Sequence, residues 1–380
     1  MIDTTDGGEP VSVRMARSVM GRYSPGEMRW HYEHGLVLQS IFLLGQRMGC
    51  EEFCEYVKSM YDTKIAPGGG ILTYRESEFN LDQVNPGKVL FLLHEKYGGE
   101  HYRIAIETLR EQLRKHPRTR AGGFWHKQIY PWQMWLDGLY MQGPFYAQYA
   151  AKYGSPADFD DIVLQFTVME SKACDAETGL LYHAWDESRE QKWANQDTGC
   201  SPHFWGRALG WYCMALLDSL DFVPASCREV ADELAAIAGR LLAPLLKYQD
   251  PQSGLWYQVL DRGHEAGNYT ESSASSMFAY FLLKMLRLGL VPGDEAERVR
   301  AAACKAYDGL LGQKLREDPA GTSAQAGDLH LSDICAVAGL GGNPYRDGSY
   351  GYYVGEPVAI DDFKGVGPFI LASMEREGLF

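Results

Sequence analysis

The stretch ASSMFAYFLLKMLRLG, residues 274–289, decides the fold class. Its residues are almost all apolar or small, without the polar face that a surface helix turns toward water. The glycine at its end is typical of a helix C-terminus. GLVLQSIFLLGQRMG, residues 35–49, has the same character. Both stretches therefore predict helices that are buried on every side.

A second type of helix is more polar. ADELAAIAGRLLAPLLKYQ, residues 231–249, carries its large apolar side chains on one stripe, at Leu234, Ile237, Leu241 and Leu245. A single stripe predicts an outer helix that packs on one side only.

A short pattern also recurs along the chain. It consists of a glycine, then apolar or aromatic residues, then a polar or aromatic side chain four positions after the glycine. The copies are GILTY from Gly70, GGFWH from Gly122, GLLYH from Gly179 and GLWYQ from Gly254. Helix-period stretches lie between them, so each unit reads as an outer and an inner helix joined by a glycine-aromatic loop.

About half a dozen such hairpins fill the chain. They predict an all-α fold in which the hairpins close into an (α/α)6 barrel, with residues 1–380 as one domain and residues 1–20 as a loose N-terminal segment. An open helical solenoid is the alternative, but its concave face would leave the apolar inner helices exposed. In a closed barrel, the loops before the inner helices meet at one end and line a cavity.

Charge and composition exclude several classes of partner. The formal net charge is −14, which argues against nucleic acid and anionic membrane surfaces. No apolar run is long enough to span a bilayer. The eight cysteines are scattered and suit free thiols in a reducing compartment. We therefore expect a cytoplasmic protein, as a monomer or weak homo-oligomer, with a small-molecule substrate.

Asp137 is the first candidate for chemistry. PWQMWLDGLYM, residues 131–141, reads as one apolar helix in which Asp137 is the sole carboxylate, and no Lys or Arg lies at helical spacing from it. A desolvated carboxyl group holds its proton to higher pH and can act as a general acid. Gly138 beside it leaves space for a ligand. The alternative is an aspartate that caps or bonds a neighbouring loop.

Arg207 is the second candidate. It lies between Trp205 and Trp211 in SPHFWGRALGWY, residues 201–212. A guanidinium group can hold a carboxylate with two hydrogen bonds while indole rings supply flat walls. The alternative is an arginine that pairs with a core acid such as Asp197.

Three more residues are candidates. His126 and His183 occupy the same position in the repeat, which favours a shared role near the cavity. Asp82, in NLDQVNPG, precedes a predicted helix start, where capping is its alternative role. Nucleotide, serine-hydrolase and zinc-protease motifs are missing from the sequence. The sequence therefore predicts carbohydrate chemistry without a cofactor and without a metal.

WHKQIYPWQMWLDGLYM, LLYHAWDES, SPHFWGRALGWY and NLDQVNPG together resemble glycoside hydrolase family 105, the unsaturated rhamnogalacturonyl hydrolases. MRWHYEHGLVLQSIF and GVGPFILASMERE extend the resemblance over nearly the whole chain. The resemblance implies an (α/α)6 barrel. It also implies a substrate capped by a 4,5-unsaturated galacturonic acid, left by a pectin (rhamnogalacturonan) lyase.

The resemblance further implies a mechanism. Asp137 protonates C4 of the vinyl ether, water adds at C5, and the resulting hemiketal opens and releases the aglycone. Asp82 and His126 are implied to lie beside the unsaturated ring. The residues implied around its carboxylate and the next sugar are His183, Trp205, Arg207 and Trp211.

Three alternatives remain open. An unsaturated glucuronyl hydrolase acting on glycosaminoglycan-type oligosaccharides would share the mechanism. An (α/α)6 sugar epimerase would use His126 and His183 as acid and base. A binding protein without catalysis would keep the indole walls and would not need Asp137.

Overall fold

The computed structural model describes residues 8–318 and 327–380, and helices dominate it. The helices are α1 Val11–Arg22, α2 Tyr32–Met48, α3 Glu51–Asp62, α4 Gly87–Tyr97, α5 Glu100–Lys115, α6 Leu136–Tyr153, α7 Pro156–Ala173, α8 Gly206–Leu220, α9 Arg228–Arg240, α10 Leu242–Tyr248, α11 Ser272–Arg287, α12 Ala296–Gly309, α13 Tyr350–Gly355 and α14 Phe363–Arg376.

Short antiparallel strand pairs join some of the loops. The paired strands are β1 Gln133–Trp135 with β2 Ala184–Asp186, β3 Leu315–Glu317 with β4 Leu329–Leu331, and β5 Ile334–Cys335 with β6 Val358–Ala359.

Six of these helices form a closed inner ring. Within the described ranges, α2, α4, α6, α8, α11 and α14 each pack on the next, and α14 packs back on α2. An outer helix covers each inner one, in the pairs α2 with α3, α4 with α5, α6 with α7, α8 with α9, α11 with α12, and α14 with α1. The predicted (α/α)6 barrel is confirmed, and the open solenoid is excluded.

Burial follows the two helix types predicted from sequence. In α8, every residue from Gly206 to Ser219 is buried, whereas α9 buries only one stripe, formed by Val230, Leu234, Ile237 and Ala238. The stripe in residues 231–249 continues over two helices rather than one, because α9 ends at Arg240 and α10 begins at Leu242. Proline lacks a backbone N–H, and Pro244 lies in the first turn of α10, where that loss is tolerated.

The repeated glycines make turns in the loops that follow the outer helices. Gly122, Gly179 and Gly254 have φ of 94°, 75° and 78°, which favours glycine. In the first copy the left-handed residue is Gly69, with φ of 82°, rather than Gly70. Each turn thus lies in the loop that leads from an outer helix to the next inner helix.

The expectation of a loose segment over residues 1–20 is wrong for most of it. Helix α1 begins at Val11, packs against α14 and buries Met15 and Ala16 completely. Its apolar face supplies the outer helix of the last hairpin, so the segment belongs to the barrel. Residues 1–7 lie outside the described residues.

All eight cysteines are free thiols. None of the described helices could cross a membrane.

Candidate active site

The candidate residues gather at the end of the barrel where the inner helices begin. Asp82 lies just before α4, Asp137 in the first turn of α6 and Arg207 in the first turn of α8. His126 lies in the loop before α6, and His183 in the loop that enters β2. The repeat therefore predicted correctly that loops distant in sequence meet at one end.

We predicted that residues 131–141 form one helix, and this is wrong. They form a strand followed by the start of a helix. Gln133–Trp135 is β1, and its pairing with β2 sets Trp135 opposite Ala184. The Leu136 N–H then donates to the His183 carbonyl oxygen at 3.0 Å. This pairing brings the His183 loop to the start of α6, so Asp137 lies at a helix N-terminus rather than inside a helix.

Asp137 faces a histidine. Its Oδ2 lies 3.2 Å from His183 Nε2, and its side chain keeps 14% of its accessible surface. It does not cap α6, whose N-cap position is Trp135. The carboxyl group is thus sheltered but not fully buried.

His183 is fixed on its other side. The ring is fully buried, and its Nδ1 lies 2.7 Å from the Tyr353 hydroxyl oxygen. The Trp135 and Trp205 rings pack on it, with centroids at 5.3 Å and 4.8 Å. His183 therefore connects Asp137 to the C-terminal part of the chain.

Asp82 is locked in an ion pair. Its Oδ2 lies 2.6 Å from Lys127 Nζ, and its Oδ1 lies 3.5 Å from His126 Nε2. Burial opposes the charge of Asp82, but Lys127 and His126 outweigh it and hold the pKa of Asp82 below its usual value. Asp82 is not an N-cap; the Asn80 side chain accepts from its N–H.

His126 is neutral at physiological pH. Burial lowers the pKa of His126 to about 4, although Asp82 acts against this. The imidazole stacks on Trp135, with ring centroids 4.7 Å apart. Trp135 thus separates the Asp82 cluster from the His183 ring.

The prediction that Gly138 leaves space for a ligand is wrong. A Cβ there would lie 3.1 Å from His126 Nδ1 and 3.2 Å from a Leu81 methyl carbon. The glycine instead lets the His126 ring approach α6 closely, next to Asp137.

Arg207 is held by protein groups. Its side chain is 1% exposed, and its Nη1 donates to Ser273 Oγ at 3.2 Å and to the Cys335 carbonyl oxygen. Glu271 lies 3.8 Å away. The core acid is therefore Glu271; Asp197, which we named as the alternative partner, is exposed. A contact between Arg207 and a substrate stays a prediction.

The two indoles beside Arg207 are buried as well. Trp205 and Trp211 are each 1% exposed, and Trp211 stacks on Tyr140 with ring centroids 4.9 Å apart. Tyr32 meets the Trp211 edge at 6.0 Å and keeps part of its surface accessible. That Trp205 and Trp211 form the walls for a sugar stays a prediction.

Sequence reasoning missed several supporting residues. Lys127 stood next to His126 in a quoted motif, and Gln258 occupies the fifth position of GLWYQ, equivalent to His126 and His183. Gln258 accepts from Trp205 Nε1 and donates to the Tyr353 carbonyl oxygen, each at 3.0 Å. Tyr353 carried no signal, because only the fold brings it to His183.

Carboxyl groups, histidines and indoles that converge at one end of a closed helical ring are typical of a small-molecule site, where a few polar groups lie among aromatic walls. The chain belongs to Glycosyl Hydrolase Family 88, whose family model matches residues 11–380. It is thus a glycoside hydrolase of this family.

Three relatives illustrate the similarity. A solved glycoside hydrolase of family 105 from Clostridium acetobutylicum is 43% identical, with a TM-score of 0.92 over 97% of this chain and 100% of that one. Protein Atu3128 of Agrobacterium fabrum is 44% identical over 234 residues, 61% of this chain and 96% of that protein. The unsaturated rhamnogalacturonyl hydrolase YesR of Bacillus subtilis is 27% identical over 271 residues, 69% of this chain and 72% of that protein. The resemblance to family 105 is confirmed.

Proposed function

We propose that this protein removes a terminal 4,5-unsaturated galacturonyl residue from rhamnogalacturonan oligosaccharides by hydrating the C4=C5 bond. The name of the Bacillus subtilis relative supports this substrate class. The observation that carries the mechanism is the contrast between the two carboxyl groups of the site. Asp137 is partly accessible and faces a histidine, whereas Asp82 is tied to Lys127.

The reaction needs one acid that later acts as a base. The carboxyl hydrogen of Asp137 goes to C4, and the electron pair of the double bond forms the C4–H bond. Positive charge develops at C5 and is shared with the ring oxygen. Water then attacks C5 and gives a proton to the Asp137 carboxylate. The hemiketal at C5 opens and the aglycone leaves, with the acid restored.

Ordinary glycosidases instead use two carboxyl groups at the anomeric carbon. In this site the second acid would have to be Asp82. A carboxylate held by Lys127 and His126, with its pKa below the usual value, is a poor proton donor. It suits a hydrogen-bond acceptor for sugar hydroxyls, which is the role that we propose for it.

We propose that the remaining candidates surround the substrate. His126 would lie with Asp82 beside the unsaturated ring. His183 supports Asp137, while Trp205, Arg207 and Trp211 shape the region that takes the uronic carboxylate and the next sugar. Lys127 adds a cation that is still partly accessible, with 22% of its side-chain surface exposed.

A double-bond assay tests the proposal. The enzyme should remove the ultraviolet absorbance of an unsaturated galacturonyl–rhamnose disaccharide. In D₂O the keto-uronate product should carry deuterium at C4, seen by NMR. An unsaturated glucuronyl disaccharide, offered separately, measures the preference between the two sugar ends.

Two controls decide the mechanism. The saturated disaccharide has no vinyl ether and should remain intact. The Asp137→Asn variant should fold and lose a factor of about 10²–10⁴ in kcat, the usual contribution of a general acid. Cleavage of the saturated analogue, or a product without deuterium at C4, would contradict hydration and direct attention to Asp82.

A further inference from the structure

The two oxygens of the Asp137 carboxyl group have different surroundings. Oδ2 is buried and lies 3.2 Å from His183 Nε2. The 14% of the side chain that is still accessible therefore lies away from Oδ2. In this state the His183 N–H direction is not aligned with Oδ2, as is common in free enzymes, where such contacts tighten on substrate binding.

The hydrogen bond made by Nδ1 of His183 determines whether Nε2, the nitrogen that faces Asp137, carries a hydrogen. Nδ1 lies 2.7 Å from the Tyr353 hydroxyl oxygen. Tyr353 is fully buried, and burial raises the pKa of Tyr353 well above its usual value, so the phenol keeps its hydrogen. Among the described residues, His183 Nδ1 is the hydrogen-bond partner of this hydroxyl.

The two tautomers of His183 satisfy these groups unequally. With the hydrogen on Nε2, the Tyr353 hydroxyl donates to Nδ1, and Nε2–H lies on the side of Asp137 Oδ2, 3.2 Å away, where it can donate once the two groups align. With the hydrogen on Nδ1, the imidazole donates to the phenol oxygen. The phenolic hydrogen then has no acceptor among the described groups, and the Nε2 lone pair faces a carboxyl oxygen. Leaving a buried donor without an acceptor is costly.

We propose that Tyr353 is a positioning residue that fixes His183 as its Nε2–H tautomer, which makes Oδ1 of Asp137 the oxygen that carries the catalytic proton. Which nitrogen of a histidine is protonated is set by the hydrogen bond of the other one. Once substrate binding aligns Nε2–H with Oδ2, that oxygen accepts from His183 in both the acid and the base form, and the transferable hydrogen resides on Oδ1, on the accessible side.

The fold holds Tyr353 rigidly for this task. Its ring stacks on Trp205 with centroids 6.1 Å apart and planes inclined by 25°. The Gln258 side chain donates to the Tyr353 carbonyl oxygen at 3.0 Å. Helix α13, which carries Tyr353, thus completes a site whose acid lies on α6.

The other charged and titratable groups near Tyr353, His183 and Asp137 stay unchanged in the test. His126, in the loop before α6, and Tyr32, at the start of α2, act electrostatically on Asp137, and Arg346 and Cys335 face Tyr353. Tyr353→Phe alters none of them and keeps the ring packed on Trp205. Its effect therefore isolates the hydroxyl group.

The tautomer is measured directly by ¹⁵N NMR of histidine-labelled enzyme without substrate. The His183 signals are assigned by their loss in His183→Asn. Nε2 should carry the hydrogen in the parent, and Tyr353→Phe should shift the population toward Nδ1–H. Tyr352→Phe is the matched control: its hydroxyl accepts from the Gly339 N–H at 2.9 Å and does not reach His183. A parent protonated at Nδ1 would overturn the proposal.

The catalytic consequence rests on the proposed function. Tyr353→Phe should lower kcat about ten-fold, the factor that one net hydrogen bond supplies. KM should change little, because Tyr353 is buried behind His183. In Tyr353→Phe, an unchanged kcat would refute the role of Tyr353, and so would an unchanged tautomer of His183. If the parent does not hydrate unsaturated uronides but the tautomer still shifts, the proposed function fails and the assignment of the tautomer stands.

Discussion

Two arginines in this molecule make ionic contacts of very different kinds. Arg207 is buried, and its Nη1 contacts Glu271, Ser273 and the Cys335 carbonyl oxygen. Arg240 makes a bidentate contact with Glu170 at 2.7 and 2.8 Å, but half of its side chain is exposed. Lysine cannot replace the buried Arg207 without change, because an ammonium is a more strongly hydrated point charge on a stem of different length and shape.

Arg207→Lys should therefore reduce the free energy of unfolding by about 1–3 kcal/mol, since a buried acceptor loses its donor. Urea denaturation measures it. The matched variant, Arg240→Lys, should cost under about 1 kcal/mol, because exposed ion pairs contribute little. KM for the unsaturated disaccharide is measured on the same samples. A rise in KM without loss of stability would show that Arg207 serves the substrate and not the core.

At the scale of elements, the helix types and their order were predictable, because burial on one or two sides leaves a direct mark on the apolar pattern. The strand in residues 133–135 was not, since its aromatic and apolar residues suit a helix equally well. Only the partner strand at residues 184–186 decides between them. That Asp137 and the two histidines lie at one end of the barrel followed from motif and repeat. Tyr353 did not, because its role depends on a contact 170 residues away in sequence.

The start of α6 is also where a small change should affect activity most. Gly138→Ala places a methyl group 3.1 Å from His126 Nδ1, so the imidazole must shift against Trp135. We expect kcat/KM to fall about ten-fold or more, as happens when a positioned side chain is displaced. Steady-state kinetics on the unsaturated disaccharide measures it.

Gly143→Ala provides the control on the same helix. Its methyl group would lie 3.1 Å from Ser219 Oγ and 3.3 Å from the Phe166 ring, in the packing between helices. It should alter stability by a similar amount and leave kcat/KM near the parent value. Equal kinetics for both variants would show that the start of α6 is not sensitive.

At the scale of the whole molecule, closing the ring buries polar groups together with apolar ones. Three of the buried or half-buried histidines, His34, His116 and His126, lie at helix starts and in loops of the first half of the chain. Burial lowers the pKa of each of them to about 4, from 6.5 in an unfolded chain. Each is therefore neutral in the folded protein at pH 7.

These histidines make the barrel sensitive to acid. Below pH 6.5 these histidines bind protons in the unfolded chain, whereas in the folded protein they stay neutral until the pH falls to about 4. Stability is therefore fully present above pH 6.5 and decreases as the pH falls through this window. Each histidine contributes at most about 3 kcal/mol, from about 1.4 kcal/mol per pH unit. The depressed pKa of Glu33, about 2, acts in the same direction at lower pH.

Urea denaturation at a series of pH values should show the free energy of unfolding falling steadily between pH 7 and pH 4. His116 offers the cleanest variant, since it lies away from Asp137 and its Nε2 meets the Trp125 carbonyl oxygen at 2.8 Å. In His116→Gln an amide can donate to that oxygen without titrating. Its slope against pH should be shallower than that of the parent, whatever its stability at pH 7. Parallel slopes in parent and variant would show that the acid sensitivity arises from other groups.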